Sequence, residues 1–554
     1  MKIPFVFGVT GHRDIPPADV PALEDRIATL LREQKKRFPE TPLLLLSALA
    51  EGGDRIAANA ALHEKVEVTP VLPMPVAEYE KDFTDPRSLQ EFRDLLARCS
   101  PPIVLGLSGG VDRDTLYEQA GLYIALHCSL LIALWNGHDT DVAGNPAKVG
   151  GTAAIVSFRR TNALQEARPL PAFCRRDASV LDAPGLGPLL HIAVKRVSDP
   201  RAPLETPSTD SRSALEELKT HLDVYNGEVQ RLETSLPDAL ATSASYLLPN
   251  ADIDKHSELI DLRQRFAAAD ALAIGFRDDV QKTLPWIAGL ALAAVGTFEL
   301  FAHVWEESWI LLTAYGLFLA APWAVYLLRV KQRDRQGKYL DYRTLAEALR
   351  VQFFWRLAGV PLNAADFYLR RQTGGLVWIR QAARACNIGN PADPATADLA
   401  LVRARWIADQ ENFFGKTTVR EKRAFHRWDA LLTAAYVIGV VTAFGLLLAM
   451  IAAMWTDVTL PRVAVQCVVI AMGFAPALAA SIGFVLERRA YESHIRQYEM
   501  MKHLYTVAGH AMSRASKPAD QRAIIEALGR EALAENGDWY FTHRVRRVAP
   551  ARGG

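Results

Sequence analysis

The chain has 554 residues, which exceeds the size at which a single hydrophobic core keeps growing, so about three structural units are expected. Its 63 lysine and arginine residues balance 62 aspartate and glutamate residues, and this net charge of +1 argues against binding to DNA or RNA. The five cysteines are scattered without CxxC spacing, which argues against a disulfide framework or a zinc site and favours a reducing, cytoplasmic setting.

The first residues, MKIPFVFGVTGHRD, contain an apolar run that is too short for a signal peptide and reads as the first strand of a soluble domain. Up to about residue 200, short β-branched runs alternate with helical stretches. This alternation predicts an α/β domain with a Rossmann-like parallel sheet. The predicted strands are 3–9, 43–47, 68–72, 130–134 and 190–197, and the clearest helix is 21–37.

Polar and glycine-rich segments follow several of these strands and precede one predicted helix. Ligands of open parallel sheets bind beyond the carboxyl ends of the strands. Glycines there let the backbone approach a phosphate, and free amides at a helix start attract the anion. The candidate ligand-binding residues are Thr10, Gly11, His12, Arg13, Glu51, Gly52, Gly53, Asp54, Arg55, Asn136, Gly137, Gly150, Gly151 and Thr152.

One such loop alone most often serves turn geometry, but four loops at one edge of a sheet predict a site for a phosphate and a sugar. Arg13 or Arg55 suits the phosphate, and Glu51 or Asp54 suits the ribose hydroxyls. His12 either contacts a base or caps its loop. No catalytic residue and no metal ligand is predicted.

The motifs GVTGHRD, SALAEGGDR, LLIALWNG and GGTA resemble those of the SLOG superfamily over about residues 1 to 200. That superfamily joins the DNA-processing protein A fold, the "lonely guy" phosphoribohydrolases and many nucleotide sensors. The GGT element looks like the phosphate loop of the phosphoribohydrolases, which carry a catalytic glutamate three residues after the threonine. Here that position is Ile155. Because such hydrolysis depends on a placed carboxylate, the resemblance implies binding without turnover.

A helical connector is expected after the proline-, serine- and threonine-rich segment 200–209. An a/d heptad pattern runs for under three heptads in this connector, through Leu215, Leu218, Leu222, Tyr225, Val229 and Leu232. The stripe either forms a short coiled coil or packs on the next helix of the same chain, around Leu259, Leu262, Phe266 and Leu272.

Four apolar segments predict four transmembrane helices, because a bilayer core requires about 20 residues of helix. They are 286–304, 309–328, 430–456 and 463–486. Basic residues follow the second segment, precede the third and follow the fourth, which predicts that these ends and both termini are cytoplasmic. The chain is therefore expected to be a multi-pass protein of the cell inner membrane.

Six segments are expected from these features: a nucleotide-binding domain, a connector, a first membrane hairpin, a cytoplasmic helical insert, a second hairpin and a cytoplasmic helical tail. Their boundaries are 1–205, 206–283, 284–330, 331–428, 429–487 and 488–554.

Glu299 is the one ionisable residue well inside a predicted span. An intramembrane carboxylate is costly unless it faces protein, water or a partner. Glu299 is therefore either a pore-lining or gating group, or a residue near the outer interface whose side chain reaches for water, close to His303.

The carboxyl-terminal half, including EALAENGDWYFTHRVRR near its end, looks like the two-span SLATT effectors that accompany SLOG domains. The two resemblances together imply a nucleotide-sensing membrane effector in prokaryotic antiviral or conflict defence. A nucleotide or cyclic nucleotide would bind, and the protein would form a homo-oligomer whose helices open as an ion channel or perturb the lipid bilayer. No other cofactor is expected.

Two alternatives stay open at this point. One is a membrane-tethered enzyme that hydrolyses or modifies a nucleotide, with Glu51 or Asp54 as general acid or base. The other is a scaffold whose α/β domain no longer binds a ligand.

Overall fold

The structure is a computed structural model that describes residues 1–106, 111–146, 148–164, 171–174, 187–205, 212–331, 334–368, 376–456 and 460–545. The chain divides into two compact units. The first comprises Met1–Ala271, Thr344–Leu399 and Ile525–Gly537, and the second comprises Leu272–Arg343, Ala400–Ile524 and Asp538–Gly554.

A parallel sheet forms the centre of the first unit, which confirms the predicted α/β Rossmann-like fold. Within the described residues its strands are β1 Phe5–Gly11, β2 Leu43–Ser47, β3 Glu67–Leu72, β4 Ile103–Val104, β5 Leu130–Trp135 and β6 Leu189–Ala193. The order across the sheet is β4-β3-β2-β1-β5-β6, and every neighbouring pair is parallel. The strand order therefore reverses between β1 and β5, and ligands of such sheets bind at this switch point.

The first strand lies two residues later than the sequence predicts. Pro4 has no N–H to donate to a ladder, so pairing with β2 begins at Phe5. At the other end, Thr10 and Gly11 pair with Ala133 and Leu134 of β5. These two residues, expected in a loop, are the last residues of a strand. β4, which was not predicted, is only two residues long.

Helices account for most of the remaining described residues. They are α1 Val20–Arg37, α2 Gly53–His63, α3 Val76–Tyr79, α4 Pro86–Arg98, α5 Arg113–His127, α6 Thr152–Thr161, α7 Arg212–Ser235, α8 Pro237–Leu247, α9 Asn250–Ile253, α10 Ile260–His303, α11 Trp309–Val325, α12 Arg335–Leu357, α13 Val377–Ala385, α14 Leu399–Val402, α15 Asp409–Trp455, α16 Arg462–Arg489, α17 Tyr491–Arg514 and α18 Pro518–Val545. A π-helical turn at Tyr326–Lys331 follows α11, and another at Arg403–Ala408 precedes α15.

The apolar stripe of α7 is covered within the first unit. Tyr225 and Val229 are fully buried, and the Tyr225 ring lies 6.0 Å from the ring of Trp378 on α13. The side chain of Asn226 accepts a hydrogen bond from the Ile3 amide at 2.8 Å and donates one to the Ile3 carbonyl at 2.9 Å. This helix therefore packs on its own chain and does not present the stripe for a coiled coil with another copy.

Four helices among the described residues are long and apolar enough to cross a membrane, which confirms the predicted number of spans. These helical stretches run over Ser257–His303, Trp309–Leu328, Leu399–Trp455 and Arg462–Arg514. Many large apolar side chains on them are exposed, as lipid-facing residues are. Tryptophans, which favour membrane interfaces, lie exposed near the ends of the apolar stretches at Trp286, Trp309, Trp428 and Trp455.

Small residues allow the helices of the second unit to approach closely. A Cβ at Gly439 of α15 would lie 3.0 Å from the ring of Pro476 of α16. Close backbone approach at small residues is typical of helix contacts in membranes. Val280, Leu284 and Ile287 of α10 form a buried cluster, against which Val325, Tyr326 and Phe484 pack.

The carboxylate of Glu299 packs against α16. A Cβ at Gly473 would overlap this carboxylate, and His303 Nε2 lies 3.4 Å from it. The Glu299 side chain is 14 % exposed. Glu299 therefore contacts both protein and the imidazole near the end of α10, as an intramembrane carboxylate requires. Its pore or gating role stays a prediction.

Candidate functional site

A cleft of about 720 Å³ lies at the carboxyl ends of β1 and β5. Its walls are formed by residues 9–14 at and beyond the end of β1, by Asn136 and His138 after β5, and by the starts of α2 and α6. This is the switch point of the sheet, where the two neighbouring strands lead their chains in opposite directions and leave a crevice. Small-molecule sites commonly enclose volumes of roughly 300–1,000 Å³.

Glycines hold the start of α2 against the end of β1. A Cβ on Gly11 or on Gly53 would lie only 2.7 Å from the Cα of the other residue. Gly52 has φ of +75°, and a Cβ there would overlap the carbonyl oxygen of His12. Gly52 and Gly53 do not line the cleft themselves, and their contribution is to let two backbones touch.

The carboxyl group at the start of α2 that faces the cleft belongs to Asp54. Its side chain is buried, and burial raises its pKa to about 7 against the opposing effect of the Arg13 charge and hydrogen bonding from the Ala50 backbone. Glu51, the other carboxylate considered for ribose, is not among the cleft-lining residues and accepts a short hydrogen bond from the Ser88 hydroxyl.

Arg55 is a structural residue of α2. Its guanidinium donates to the carbonyl of Leu49 at 3.2 Å and to the carboxylate of Glu91 at 2.8 Å, and it lies 4.7 Å from the centre of the Phe83 ring. Arg13 instead lines the cleft, with its guanidinium 5.2 Å from the centre of the Tyr117 ring. Arg13 forms no ion pair with any described residue, so it is the arginine that is free to meet an anion.

A chain of hydrogen bonds fixes His12. Arg201 donates to the carboxylate of Asp199 at 2.7 Å, and Asn136 donates to the same carboxylate at 2.9 Å. The amide oxygen of Asn136 is thereby oriented towards His12 Nε2, 3.0 Å away. Because that oxygen can only accept, Nε2 carries the proton and Nδ1 keeps its lone pair.

The imidazole of His12 is neutral at physiological pH. Burial lowers its pKa to about 4, against the hydrogen bond with Asn136 that raises it. The hydrogen bond from Arg201 holds the pKa of Asp199 well below its usual range. His12 therefore offers a hydrogen-bond acceptor and an uncharged ring, which suits a base or a ribose hydroxyl better than a phosphate.

The segment Gly150-Gly151-Thr152 opens helix α6 at the wall of the cleft, as the sequence predicts. Gly151 is the N-cap, no side chain caps the helix, and the first turn contains no acidic residue. Gly150 has φ of +71°, and a Cβ there would lie 2.7 Å from the Glu118 amide. The first amides of α6 and its dipole are therefore available to an anion in the cleft.

Two further positions singled out in the sequence are Ile155 in α6 and Gly137 in the loop after β5. Ile155, where the phosphoribohydrolase resemblance would place a catalytic glutamate, lines the cleft with an apolar side chain that is 2 % exposed. Gly137 has φ of +82° and packs against Leu204, whose carbonyl a Cβ at this position would overlap. Gly137 shapes the loop after β5 and is not among the lining residues.

Several cleft residues were not predicted from the sequence. Tyr117 comes from α5, and Arg196 and Ser198 follow β6. Partial burial raises the pKa of Asp14, but hydrogen bonds from Ser198 and Arg196 outweigh it and lower the pKa to about 2. The carboxyl-end rule that identified Asn136 could also have identified Arg196 and Ser198, whereas no sequence signal marks Tyr117.

No protein-family model and no curated protein matches this chain. The chemistry of the cleft therefore rests on its own groups: the guanidinium of Arg13, which has no ion pair among the described residues, an uncapped helix start, a neutral imidazole and a carboxyl group that titrates near neutral pH.

Proposed function

We propose that this protein is a nucleotide-gated membrane effector: the cleft binds a nucleotide-derived signal, and binding opens or rearranges the four membrane helices. The observation that carries the proposal is that Arg13 and the uncapped start of α6 line one cleft at the switch point of the sheet. The outputs considered are an ion channel or a membrane lesion in prokaryotic antiviral defence.

The ligand chemistry follows from the charges of the cleft. A phosphate would lie at the amides of Thr152 and Ala153, the first two residues of α6, with Arg13 as its cation. Asp54 would accept from ribose hydroxyls, and His12 would bond a base or a hydroxyl through Nδ1. A phosphate is not expected beside Asp54, because the ionised carboxylate would repel it.

Continuity of the chain supports the link from ligand to membrane. The helices α10, α12 and α18 each contribute residues to both compact units. A ligand that prefers one conformation of the first unit therefore shifts helices that continue into the second, by as much as its affinities for the two states differ. In this proposal protomers act as a homo-oligomer of the inner membrane with both termini in the cytoplasm.

The first test is ligand binding to the full chain in lipid nanodiscs. A fragment ending at residue 205 lacks α7, whose Asn226 satisfies the backbone of Ile3. Thermal midpoints are measured with linear, cyclic and dinucleotide ligands, for the native chain, R13Q and the exposed control R87Q. Because a hydrogen bond to a charged group contributes roughly 1.5–3 kcal/mol, R13Q should bind about ten- to a hundredfold more weakly.

The same panel gives the contradicting results. If no nucleotide shifts the midpoint of the native chain, or if R87Q weakens binding as much as R13Q does, the proposed site is wrong. The second test is ion and dye release from liposomes that contain the full chain, with and without each binding nucleotide. Binding without any release would contradict the effector half of the proposal.

A second candidate function is supported by the pKa of Asp54. A buried carboxyl that titrates at about 7 in a cleft has the properties of a general acid or base, which favours a membrane-tethered enzyme that cleaves or modifies a nucleotide. Incubation of the full chain with nucleotide monophosphates and dinucleotide cofactors tests it. Products that disappear with D54N but persist with E51Q would select this function, and absence of products would leave the effector.

A further inference from the structure

A row of four basic side chains occupies one face of α15 just before its apolar part. The residues are Lys416, Arg420, Arg423 and Arg427. Their spacing of four, three and four residues places them on one side of the helix. All four are exposed, and they line a groove of about 630 Å³ with small or apolar residues between them.

These charges have little compensation from the protein. Arg420 lies 3.4 Å from the carboxylate of Glu421. The other three residues of the row form no ion pair with any described residue. Like charges four residues apart on a helix repel each other. The row therefore lowers its energy when an anion binds along it.

The opposite face of α15 is already used. Phe414, Thr417 and Thr418 are buried, and the ring of Phe414 stacks at 5.8 Å on that of Tyr505 of α17. These contacts fix the rotation of α15 about its axis. The side that carries the basic row therefore faces away from α17.

The row ends where the apolar segment begins. Trp428 is 41 % exposed, and only Asp429 separates it from the uncharged residues that start at Ala430. At a rise of about 1.5 Å per residue, Arg427 lies roughly 5 Å and Arg423 roughly 10 Å along the helix axis from Ala430, and Lys416 lies roughly 20 Å away. The headgroup layer on each side of a bilayer is about 5–8 Å thick. Only the end of the row nearest the span is within side-chain reach of that layer.

We propose that Arg423 and Arg427 of α15 form a binding site for the headgroups of anionic phospholipids, with Arg420 as a weaker outer contact. The occupant is a lipid because the positive row runs into a membrane span and its two innermost arginines are the ones within side-chain reach of the headgroup layer, next to the exposed Trp428. The site does not depend on nucleotide binding to the first unit.

Position along the helix distinguishes a lipid from a soluble anion. A lipid phosphate is confined to the headgroup layer, so only the inner two arginines contribute strongly. A soluble polyphosphate has no such restriction and would use Lys416 and Arg420 at least as much. The matched variants are therefore R423Q/R427Q and K416Q/R420Q, which remove equal charge from the same helix face.

The test is lipid retention by the full chain in detergent, measured by native mass spectrometry with equimolar phosphatidylglycerol and phosphatidylcholine. The native chain should retain phosphatidylglycerol preferentially. Each cation near the membrane surface contributes about fivefold in affinity for an anionic lipid. Loss of two cations in R423Q/R427Q should therefore lower the preference for phosphatidylglycerol roughly 25-fold. K416Q/R420Q should lower it less, and the exposed-charge control R87Q/R98Q should leave it unchanged.

Three results of the lipid measurement would overturn the proposal: no preference for phosphatidylglycerol in the native chain, an unchanged preference in R423Q/R427Q, or a larger loss in K416Q/R420Q. Pyrophosphate titrated into the native chain in phosphatidylcholine nanodiscs provides the second measurement. Binding of pyrophosphate that K416Q/R420Q abolishes would assign the row to a soluble anion instead. Equal thermal midpoints for all variants establish that the comparison is between folded proteins.

Discussion

Replacing Asp54 by asparagine should change how the stability of the protein depends on pH. Asp54 is 6 % exposed, and burial raises its pKa to about 7, from 3.8 for an ordinary aspartate. Asparagine has nearly the same shape and does not titrate. The difference between the native chain and D54N therefore isolates the titration of this one carboxyl group.

The direction of the effect follows from proton linkage. Below pH 3.8 both the folded and unfolded carboxyl groups are protonated. Between that pH and about 7 the unfolded chain loses the proton while the folded chain keeps it, so stability falls as pH rises. At about 1.4 kcal/mol per unit of pKa, the loss amounts to roughly 4 kcal/mol and is complete above pH 7. D54N should avoid this loss.

The measurement is the unfolding free energy of the native chain, D54N and the exposed control D25N in the same detergent, between pH 4.5 and 8.5. The advantage of D54N over the native chain should grow up to about pH 7 and then stay constant. D25N should show no such growth. If the difference in unfolding free energy between D54N and the native chain is the same at pH 5 and pH 8, the buried carboxyl of Asp54 does not titrate near pH 7 in the folded protein.

Three further substitutions test packing. Gly11→Ala should destabilise the first unit by about 1–3 kcal/mol, because its Cβ would lie 2.7 Å from the backbone of α2; an unchanged unfolding free energy would contradict that contact. Asn226→Ala should cost about 1–3 kcal/mol for each backbone group of Ile3 left buried without a partner, and a thermal midpoint equal to that of the native chain would show that water replaces the amide. Gly473→Ala should lower the thermal midpoint in micelles because it displaces Glu299, and Glu299→Ala in the same chain should restore it; failure of that rescue would contradict their contact.

The sequence predicted which residue types would contact the ligand, but for the phosphate it left two arginines as alternatives. Arg13 and Arg55 both follow strands in glycine-containing motifs, so composition and spacing do not separate them. The structure separates them, because Arg55 lies at the start of α2 and reaches Ser88 and Glu91 on α4, whereas Arg13 stays in the cleft. The choice depends on where α4 packs, and no local pattern encodes that position.

The same limit applies to the connector. Its heptad stripe predicted a helix correctly, since periodicity is a property of the segment itself. The partner of the stripe was left open, because a coiled-coil surface and an intramolecular packing surface have the same apolar spacing. Trp378 of α13, more than 150 residues away from Tyr225, decides it.

The four apolar helices and the α/β character of the first 200 residues follow from the amino-acid sequence alone. Both depend on hydropathy and periodicity within short windows, and the length of an uncharged helix is set by the thickness of a bilayer whatever the rest of the chain does. Three properties depend instead on the tertiary fold: Asp54 titrates near pH 7, Asn136 and Asp199 orient His12, and the basic row on α15 is exposed among the described residues. These properties arise from burial and from contacts between distant segments, which no window of sequence contains.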